Sequence, residues 1–385
     1  MKPMDDYSFV RGFCYPGGWA NPLDQVKKEL GYATRLNLNS ARIWLMYTCY
    51  EKDPEGFIDK LVQYVRTAYS MGITTMPILW NGNGIDPAIL EPEFREFGDK
   101  YVGDIVNALK DEPGVIMWDI MNEPSCNDYI RKAKEEELPE RTEKMWDFVR
   151  YYCRLVKSLD PVNAVTVGHT FIEDVEPTID DVDVFSFHDY FSTRKAIRGT
   201  YDAAVELSKK YNKTFLNSEL ACLCRANPYD LSLELCEEYN TGWYLFELMI
   251  QGYWGDVHGI FYPDGTVRDP AIVSAIMGFH RNRSETAIKT NANKEGYAER
   301  GIRMVQEALE EKTEVFRASR KPVEEVLEAA EFCANLLECC ELVPMYDPPT
   351  ARINRLRNQE NPDMLEARKL AYELVELLRK YCQLV

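Results

Sequence analysis

The sequence predicts an α/β protein: a (β/α)8 TIM barrel with a C-terminal all-helical extension. Short apolar runs alternate with longer amphipathic runs over the first 283 residues. The short runs are almost continuously hydrophobic, which is typical of parallel strands covered on both faces. Beyond about residue 283, glycine becomes rare and apolar residues recur at helical spacing. We therefore place the barrel at residues 1–283 and the helical region at residues 284–385.

Eight runs rich in β-branched or aromatic residues, and bounded by Gly, Pro, Asn or Asp, are the strand candidates. They are Arg11–Pro16, Ser40–Tyr47, Thr74–Trp80, Val115–Met121, Ala164–Val167, Val184–Phe187, Thr214–Asn217 and Trp243–Leu248. A helical stretch or a shorter connection follows each run, and this order favours a closed barrel. An open, doubly wound sheet is the alternative. Such a sheet would need a glycine-rich phosphate-binding loop after the first strand. The segment at that place, Tyr15-Pro16-Gly17-Gly18-Trp19, carries an aromatic residue where the phosphate would bind.

Helix signals between the runs agree with this order. Pro54 opens one helix, whose apolar stripe includes Phe57 and Leu61, and Gly72 ends it. In the C-terminal region we predict three or more amphipathic helices, with a break at Pro322 and a proline-rich loop near residues 344–362. Their apolar stripes indicate packing on the barrel or against a second copy of the chain; a lid or a separate binding module is the alternative.

Composition and charge narrow the possible partners. The 385 residues carry a formal net charge of -18, which opposes binding to the phosphates of nucleic acid. No apolar stretch approaches the ~20 residues of a membrane span. The start, Met-Lys-Pro-Met-Asp-Asp-Tyr, shows no secretory signal. We expect a cytoplasmic protein that binds neither nucleic acid nor a membrane; a trimmed signal peptide is the alternative.

The eleven cysteines are expected to be structural thiols. Their number is odd and their positions show no small disulfide framework, so a reducing compartment that keeps them free fits best. The sequence contains no Cys-x-x-Cys pair and only four histidines, widely spread. It therefore predicts no metal site.

Polar residues at the predicted strand ends are the candidates for chemistry, because barrel enzymes place their reacting groups there. The fourth strand ends in Asn122-Glu123-Pro124, and the seventh ends with Glu219. Two carboxyl groups that face each other across a pocket are the minimal apparatus for breaking a glycosidic bond. Arg42 ends the second strand, and His188 and Tyr190 end the sixth. A cation and a phenol beside one carboxylate would hold it ionised.

This ordered set of residues resembles the retaining glycoside hydrolases of clan A, and family 5, the cellulase and β-mannanase family, most of all. The resemblance covers the whole predicted barrel. It implies that Glu123 is the general acid/base and that Glu219 is the nucleophile, with Arg42 and Tyr190 beside it. It also implies that Asn122 binds the sugar 2-hydroxyl and that His188 belongs to the network around the acid/base.

Two positions depart from the pattern of that family. The sugar platform on strand eight is typically tryptophan, and Phe246 takes its place here. The histidine that many members carry after strand three is replaced by Trp80-Asn81, which could supply stacking and a hydrogen bond. Other aromatic residues could stack on a sugar as well, namely Trp19, Tyr47 and Trp254. For His169, which ends strand five, a site role and a structural role both remain open.

The resulting hypothesis is a retaining β-glycosidase that hydrolyses small β-linked oligosaccharides, a β-mannoside or a β-glucoside, by double displacement. The two carboxyl groups complete the proton transfers, so no metal or organic cofactor is expected. A non-catalytic carbohydrate-binding protein on the same scaffold is one alternative. A transglycosylase that uses the same residues is another. The C-terminal helices leave open a homo-oligomer.

Overall fold

A computed structural model describes residues 4–278, 292–309, 322–339, 342–343 and 347–382. The chain divides into two compact units, Met1–Arg281 and Asn282–Val385. Each unit has its own cluster of buried apolar side chains. Among the described residues, no helix is both long enough and apolar enough to cross a membrane.

The first unit is a closed barrel of eight parallel strands, which confirms the predicted fold class. The strands follow one another around the barrel in chain order, and the first also pairs with the eighth. They are β1 (Arg11–Cys14), β2 (Ser40–Trp44), β3 (Thr74–Asn81), β4 (Met117–Asn122), β5 (Ala164–His169), β6 (Phe185–Asp189), β7 (Phe215–Leu220) and β8 (Gly242–Leu245). All eight lie at or within a few residues of the predicted runs.

Strand register shifts at three places near the carboxyl ends of the strands. β4 and β5 change register between Asp119 and Asn122, and β6 and β7 do so between Phe187 and His188. β7 and β8 change register between Asn217 and Leu220. Such irregularities bend a strand and re-aim its side chains. The residues that follow each shift therefore point in directions that strict alternation would not give.

Ten α-helices accompany the strands of the first unit in its described part. They are α1 (Leu23–Arg35), α2 (Tyr47–Lys52), α3 (Pro54–Ser70), α4 (Arg95–Leu109), α5 (Asp128–Arg131), α6 (Leu138–Leu159), α7 (Arg194–Tyr211), α8 (Tyr229–Glu238), α9 (Gly252–His258) and α10 (Pro270–Ile276). α3 shows why they form: the carboxylate of Asp53 caps it by accepting from the N–H of Gly56 at 3.0 Å, and Pro54 occupies its first turn. Its buried face carries the predicted stripe that includes Phe57 and Leu61.

The second unit consists of helices in its described part: α11 (Ala292–Leu309), α12 (Pro322–Cys339), α13 (Pro349–Arg357) and α14 (Met364–Cys382). The predicted break at Pro322 is the start of α12. The prediction of a loop near residues 344–362 is wrong in part, because α13 lies within this segment. Pro348 and Pro349 occupy the cap and the first position of that helix, where a proline costs no hydrogen bond. Two prolines that suggested a loop thus begin a helix.

Candidate active site

Arg42, on β2, is the residue around which the site is built. Its guanidinium is fully buried. Nε donates to Oδ2 of Asp119 at 2.9 Å, and Nη1 donates to Oε1 of Glu219 at 2.5 Å. Nη2 donates to Oδ1 of Asn122 at 2.9 Å. Burial alone would lower the pKa of Arg42, but the charges of Asp119 and Glu219 outweigh it and raise the pKa. The arginine is therefore a permanent cation that links β2 to β4 and β7.

Asp119, on β4, holds this arginine and is absent from the predicted set. Its carboxylate is fully buried, and Oδ1 accepts from the N–H of Gly168 at 3.0 Å. Burial raises the pKa of Asp119, against the opposing influence of Arg42. The signal for it in the sequence is an acidic residue inside the apolar run Val115–Met121. A charge at such a position is stable only if it is paired.

Glu219, on β7, receives donors on both of its oxygens. Oε1 accepts from Arg42, and Oε2 accepts from the phenol of Tyr190 at 2.6 Å. Burial, and then the charge of Glu219, raise the pKa of Tyr190 well above its ordinary range, so the phenol stays neutral and remains a donor. The predicted partners of this glutamate therefore contact it directly.

Glu123 follows β4 with its backbone in the left-handed region, at φ 49°. Its N–H donates to the carbonyl of Gly168 at 2.7 Å, which anchors the strained residue to β5. Oε1 lies 3.0 Å from Nδ1 of His188, and Oε2 lies 3.5 Å from the side-chain amide of Asn83. Burial works to raise the pKa of Glu123, but the hydrogen bond and charge of His188 outweigh it and lower the pKa.

His188, on β6, lies between the two glutamates. Its Nδ1 is 3.0 Å from Oε1 of Glu123 and 3.4 Å from Oε2 of Glu219. One side-chain oxygen of each glutamate and one ring nitrogen of His188 all lie within 4.8 Å of one another. The fold thus brings the predicted pair of carboxyl groups together. These three side chains could ligate a metal ion, but Arg42 and Tyr190 already hold the two oxygens of Glu219.

Asn122 and Asn81 form a second polar chain beside the glutamates. The amide nitrogen of Asn122 donates to Oδ1 of Asn81 at 3.0 Å, while its oxygen accepts from Arg42. The amide nitrogen of Asn81 donates in turn to the carbonyl of Asn83 at 2.8 Å. Asn81 is half-buried. Its side-chain oxygen, which accepts from Asn122, holds the amide of Asn122 in place.

Glu247 is a third carboxyl group near the pair, and it is also absent from the predicted set. It follows β8 and is 4% exposed. Burial, and then the charge of Glu219, raise its pKa to about 8. It lines a cavity of about 420 Å³ together with the aromatic side chains of Tyr15, Tyr253 and Trp254. The signal for it in the sequence is a carboxylate inside the apolar run Trp243–Leu248.

The aromatic residues of the site differ in part from those predicted. Phe246 directly follows β8, is 9% exposed and packs edge-on against Trp44 at a centroid distance of 6.0 Å. Trp44, at the end of β2, is half-buried. The centroid of its ring lies 4.6 Å from the guanidinium carbon of Arg42. Trp44 is an indole that the predicted set lacks. Its position at a strand end, two residues after Arg42, was the available signal.

Trp80 and Trp19 are core residues. Trp80 is 1% exposed and packs among other aromatic rings, including Tyr101 and Phe148. Trp19 is 6% exposed, and its ring nitrogen donates to the carbonyl of Trp44 at 2.9 Å. Neither indole has a free face for a sugar, which corrects the expectation of stacking there. Near-continuous apolar strands give no sign of which aromatic faces the helices and which faces the opening.

The question that the sequence left open for His169 has a structural answer. The side chain is fully buried. Its ring nitrogens are each 2.9 Å from a partner, the carbonyl of Ser186 and the hydroxyl of Thr178. Burial lowers its pKa to about 4, so the ring is neutral. With both nitrogens satisfied, the imidazole ties β5 to its neighbours and has no atom left for a substrate.

A second cluster of ligating side chains lies next to the site. It consists of Cys222 and Cys224, which follow β7, and His258, which ends α9. The ring of His258 packs against Phe246 at 5.2 Å and against Tyr190 at 6.3 Å. Burial, and then the charge of nearby arginines, lower the pKa of His258 to about 4. The sequence shows the two cysteines only as a Cys-x-Cys pair, 34 residues or more from the histidine.

No family model matches the sequence, and no curated protein matches it. Solved structures do match the fold. An endo-1,4-beta-mannanase from Rhizomucor miehei is 15% identical with a TM-score of 0.55, and the match covers 73% of this chain and 95% of that chain. An exo-beta-1,4-mannosidase from Opitutaceae bacterium strain TAV5 is 15% identical with a TM-score of 0.55, covering 74% and 62%. The GH5-4 broad specificity endoglucanase from Clostridium acetobutylicum is 11% identical with a TM-score of 0.53, covering 69% and 96%.

The chain shares the fold of these glycosidases. The resemblance to clan A enzymes that the site residues predict is thereby confirmed as a structural similarity at low sequence identity. A similarity of this kind describes the scaffold, and function has to be argued from the side chains.

Proposed function

We propose that this protein is a retaining β-glycosidase that acts on β-linked oligosaccharides of mannose or glucose. The observation that carries the proposal is the close approach of Glu123 and Glu219, whose nearest oxygens lie within 4.8 Å. Retaining enzymes hold their two carboxyl groups about 5–5.5 Å apart, whereas inverting enzymes need roughly 6.5–9.5 Å to admit a water molecule. The short separation supports a covalent intermediate.

Glu219 is the nucleophile in this proposal. Arg42 and Tyr190 donate to its two oxygens and hold the carboxylate in position to attack the anomeric carbon. The bond from the anomeric carbon to the leaving oxygen breaks as the bond to Glu219 forms. Water then attacks the glycosyl-enzyme, releases Glu219 and leaves the sugar with its original configuration.

Glu123 is the general acid and base, and His188 contacts its carboxyl group. Burial works to raise the pKa of Glu123, but the hydrogen bond and charge of His188 lower it, so the free site favours the ionised carboxylate. Nδ1 of His188 lies 3.0 Å from Oε1 of Glu123 and holds this carboxyl group in position beside the leaving oxygen. As the leaving oxygen becomes basic, the protonated carboxyl group of Glu123 gives its proton to it. In the second step Glu123 accepts a proton from the attacking water.

The choice of substrate class rests on the site and on the proteins that share the fold. Asn122 and Asn81 present amide groups beside Glu123, which suit the hydroxyls of a neutral sugar. The structures with the same fold include an endo-1,4-beta-mannanase, an exo-beta-1,4-mannosidase and a broad specificity endoglucanase. Neutral β-mannosides and β-glucosides are therefore the first compounds to test.

The decisive experiment measures hydrolysis of aryl β-mannosides and β-glucosides by the wild type and by Glu123→Gln, Glu219→Gln and the exposed control Glu93→Gln. We expect Glu123→Gln to lower kcat about 100- to 10,000-fold, because general acid–base catalysis contributes that much. Glu219→Gln should abolish turnover, and the control should match the wild type. An activated 2-fluoro-glycoside should label Glu219, as mass spectrometry of the peptide would show.

Wild-type rates in both site variants would refute the assignment of the residues. Sugar binding without turnover would instead identify a non-catalytic carbohydrate-binding protein. Products lengthened by one sugar, at high acceptor concentration, would identify a transglycosylase that uses the same residues.

A further inference from the structure

The second cluster, Cys222, Cys224 and His258, has the arrangement of a metal site. The two sulfur atoms lie 3.5 Å apart. Nε2 of His258 lies 3.7 Å from Sγ of Cys222 and 3.8 Å from Sγ of Cys224. Three soft or borderline ligand atoms therefore form a nearly equilateral triangle, with one open side at the exposed Cys224.

These three distances are close to the ones that a tetrahedral zinc ion requires. With Zn–S bonds of about 2.3 Å and Zn–N bonds of about 2.0–2.1 Å, tetrahedral angles place two sulfurs roughly 3.8 Å apart and a sulfur and a nitrogen roughly 3.6 Å apart. A disulfide would need the sulfurs at about 2.05 Å. The triangle thus fits three ligands around one ion and leaves a fourth position for water.

The chemistry of the ligands agrees with the geometry. Thiolate sulfur and neutral imidazole are the ligands that zinc takes most often in proteins. Nε2 of His258 faces both sulfurs, and the imidazole is 2% exposed. Its other nitrogen, Nδ1, is buried without a hydrogen-bond partner among the described residues. Two thiolates and one neutral histidine would also balance the charge of a divalent cation.

We propose that Cys222, Cys224 and His258 bind one Zn²⁺ ion. Binding breaks the two S–H bonds, forms two Zn–S bonds and one Zn–N bond, and releases two protons to the solvent. The ion would join the segment after β7, the strand of Glu219, to the end of α9, which follows β8. Because the ring of His258 contacts Tyr190 and Phe246, the ion would also hold these two site residues in place. The site is separate from the two glutamates, and no step of hydrolysis passes through it.

The test measures zinc binding by the full chain, kept reduced with a phosphine, stripped with a chelator and titrated against a chromogenic zinc indicator. We expect one zinc per chain in the wild type and in the matched control Cys49→Ser, which removes an exposed cysteine outside the cluster. Cys224→Ser and His258→Gln should each weaken binding more than ~100-fold, since loss of even an outer-shell partner costs about 10- to 100-fold.

Cobalt provides a second readout that does not depend on catalysis. Co²⁺ added to the wild type should give thiolate-to-metal charge-transfer absorption. Cys224→Ser should reduce this absorption. Because Cys224 is exposed, circular dichroism should show that the fold of this variant is intact. Zinc binding that is equal in the wild type and in Cys224→Ser would overturn the proposal. A reduced wild-type protein that takes up no zinc would overturn it as well.

Discussion

The site depends on one buried cation whose partners are all supplied by strands. Taking a guanidinium out of water is costly unless carboxylates and hydrogen bonds replace the lost hydration. Arg42 meets this condition through Asp119 and Glu219. The sequence was sufficient to predict Arg42 and Glu219, because each is a charged residue within or just after an apolar run and both match the family pattern. It was not sufficient for Asp119, because only the register of β4 shows that this side chain points at the arginine.

Glu247 allows a prediction about stability and pH. Its pKa is raised from 4.5 to about 8 in the folded chain, so the folded state favours the protonated carboxyl. The stability that this group contributes is complete below about pH 4.5 and is lost as the pH rises through 8. Between about pH 5 and about pH 9 the loss should be on the order of 3–5 kcal/mol. Urea unfolding of the wild type and of Glu247→Gln at both pH values measures it.

Glu247→Gln should show a smaller decrease than the wild type, since glutamine does not titrate. The exposed control Glu93→Gln should follow the wild type at both pH values. If Glu247→Gln and the wild type lose equal stability, the carboxyl of Glu247 is not held protonated in the folded chain.

At the scale of elements, the strands were predictable and their local irregularities were not. Eight apolar runs identify the strands because burial on both faces needs continuous hydrophobicity. The register shifts in β4, β6 and β7 arise from backbone geometry, which a hydrophobic pattern does not record. The hydrophobic pattern also does not record the direction of a side chain. It therefore could not predict that Trp80 faces the helices or that Trp44 lies over Arg42.

Gly168, on β5, is the point where a strand must leave room for the site. A Cβ atom there would overlap Nη2 of Arg42 and lie 2.9 Å from Oδ2 of Asp119. The arginine cannot move aside without breaking its buried ion pairs. We expect Gly168→Ala to lower stability by about 1–3 kcal/mol, the usual cost of overpacking, and to reduce glycosidase activity at least tenfold. Chemical denaturation and aryl-glycoside hydrolysis measure the two effects.

Gly103→Ala is the matched control for that substitution. Gly103 lies inside α4, and a Cβ atom there meets no other atom within 4 Å. Alanine in a helix should be neutral or should stabilise the fold by roughly 0.5–1 kcal/mol. Full activity in Gly168→Ala would show that Arg42 tolerates displacement and is not fixed by its contacts.

At the scale of the whole molecule, the chain consists of two units with separate cores. The apolar stripes predicted for the C-terminal region pack together in a buried cluster, which includes Val305, Leu327 and Leu374. Ile353, from the helix inside the predicted loop, joins this cluster. All seven tryptophans lie before residue 282, so their fluorescence reports on the barrel alone, while far-ultraviolet circular dichroism reports on both units.

Leu374→Ala should therefore separate the two signals. Leu374 is fully buried in the core of the second unit, and its truncation should cost about 2–5 kcal/mol there. We expect the circular dichroism of this variant to decrease at lower denaturant concentration, while the fluorescence transition stays in place. Leu365→Ala, on the same helix but 59% exposed, should leave both transitions within about 0.5 kcal/mol. A shift of both transitions together in Leu374→Ala would show that the units unfold as one.

The pairing of β1 with β8 has a consequence for association between molecules. Each of the eight strands has a neighbour on both sides, so the sheet offers no row of unpaired backbone N–H and C=O groups. Such rows are the templates by which one chain adds a strand to another and by which fibrils grow. The barrel strands are closed to that route in the folded state. Any association between folded copies of the barrel therefore has to form at other parts of its surface.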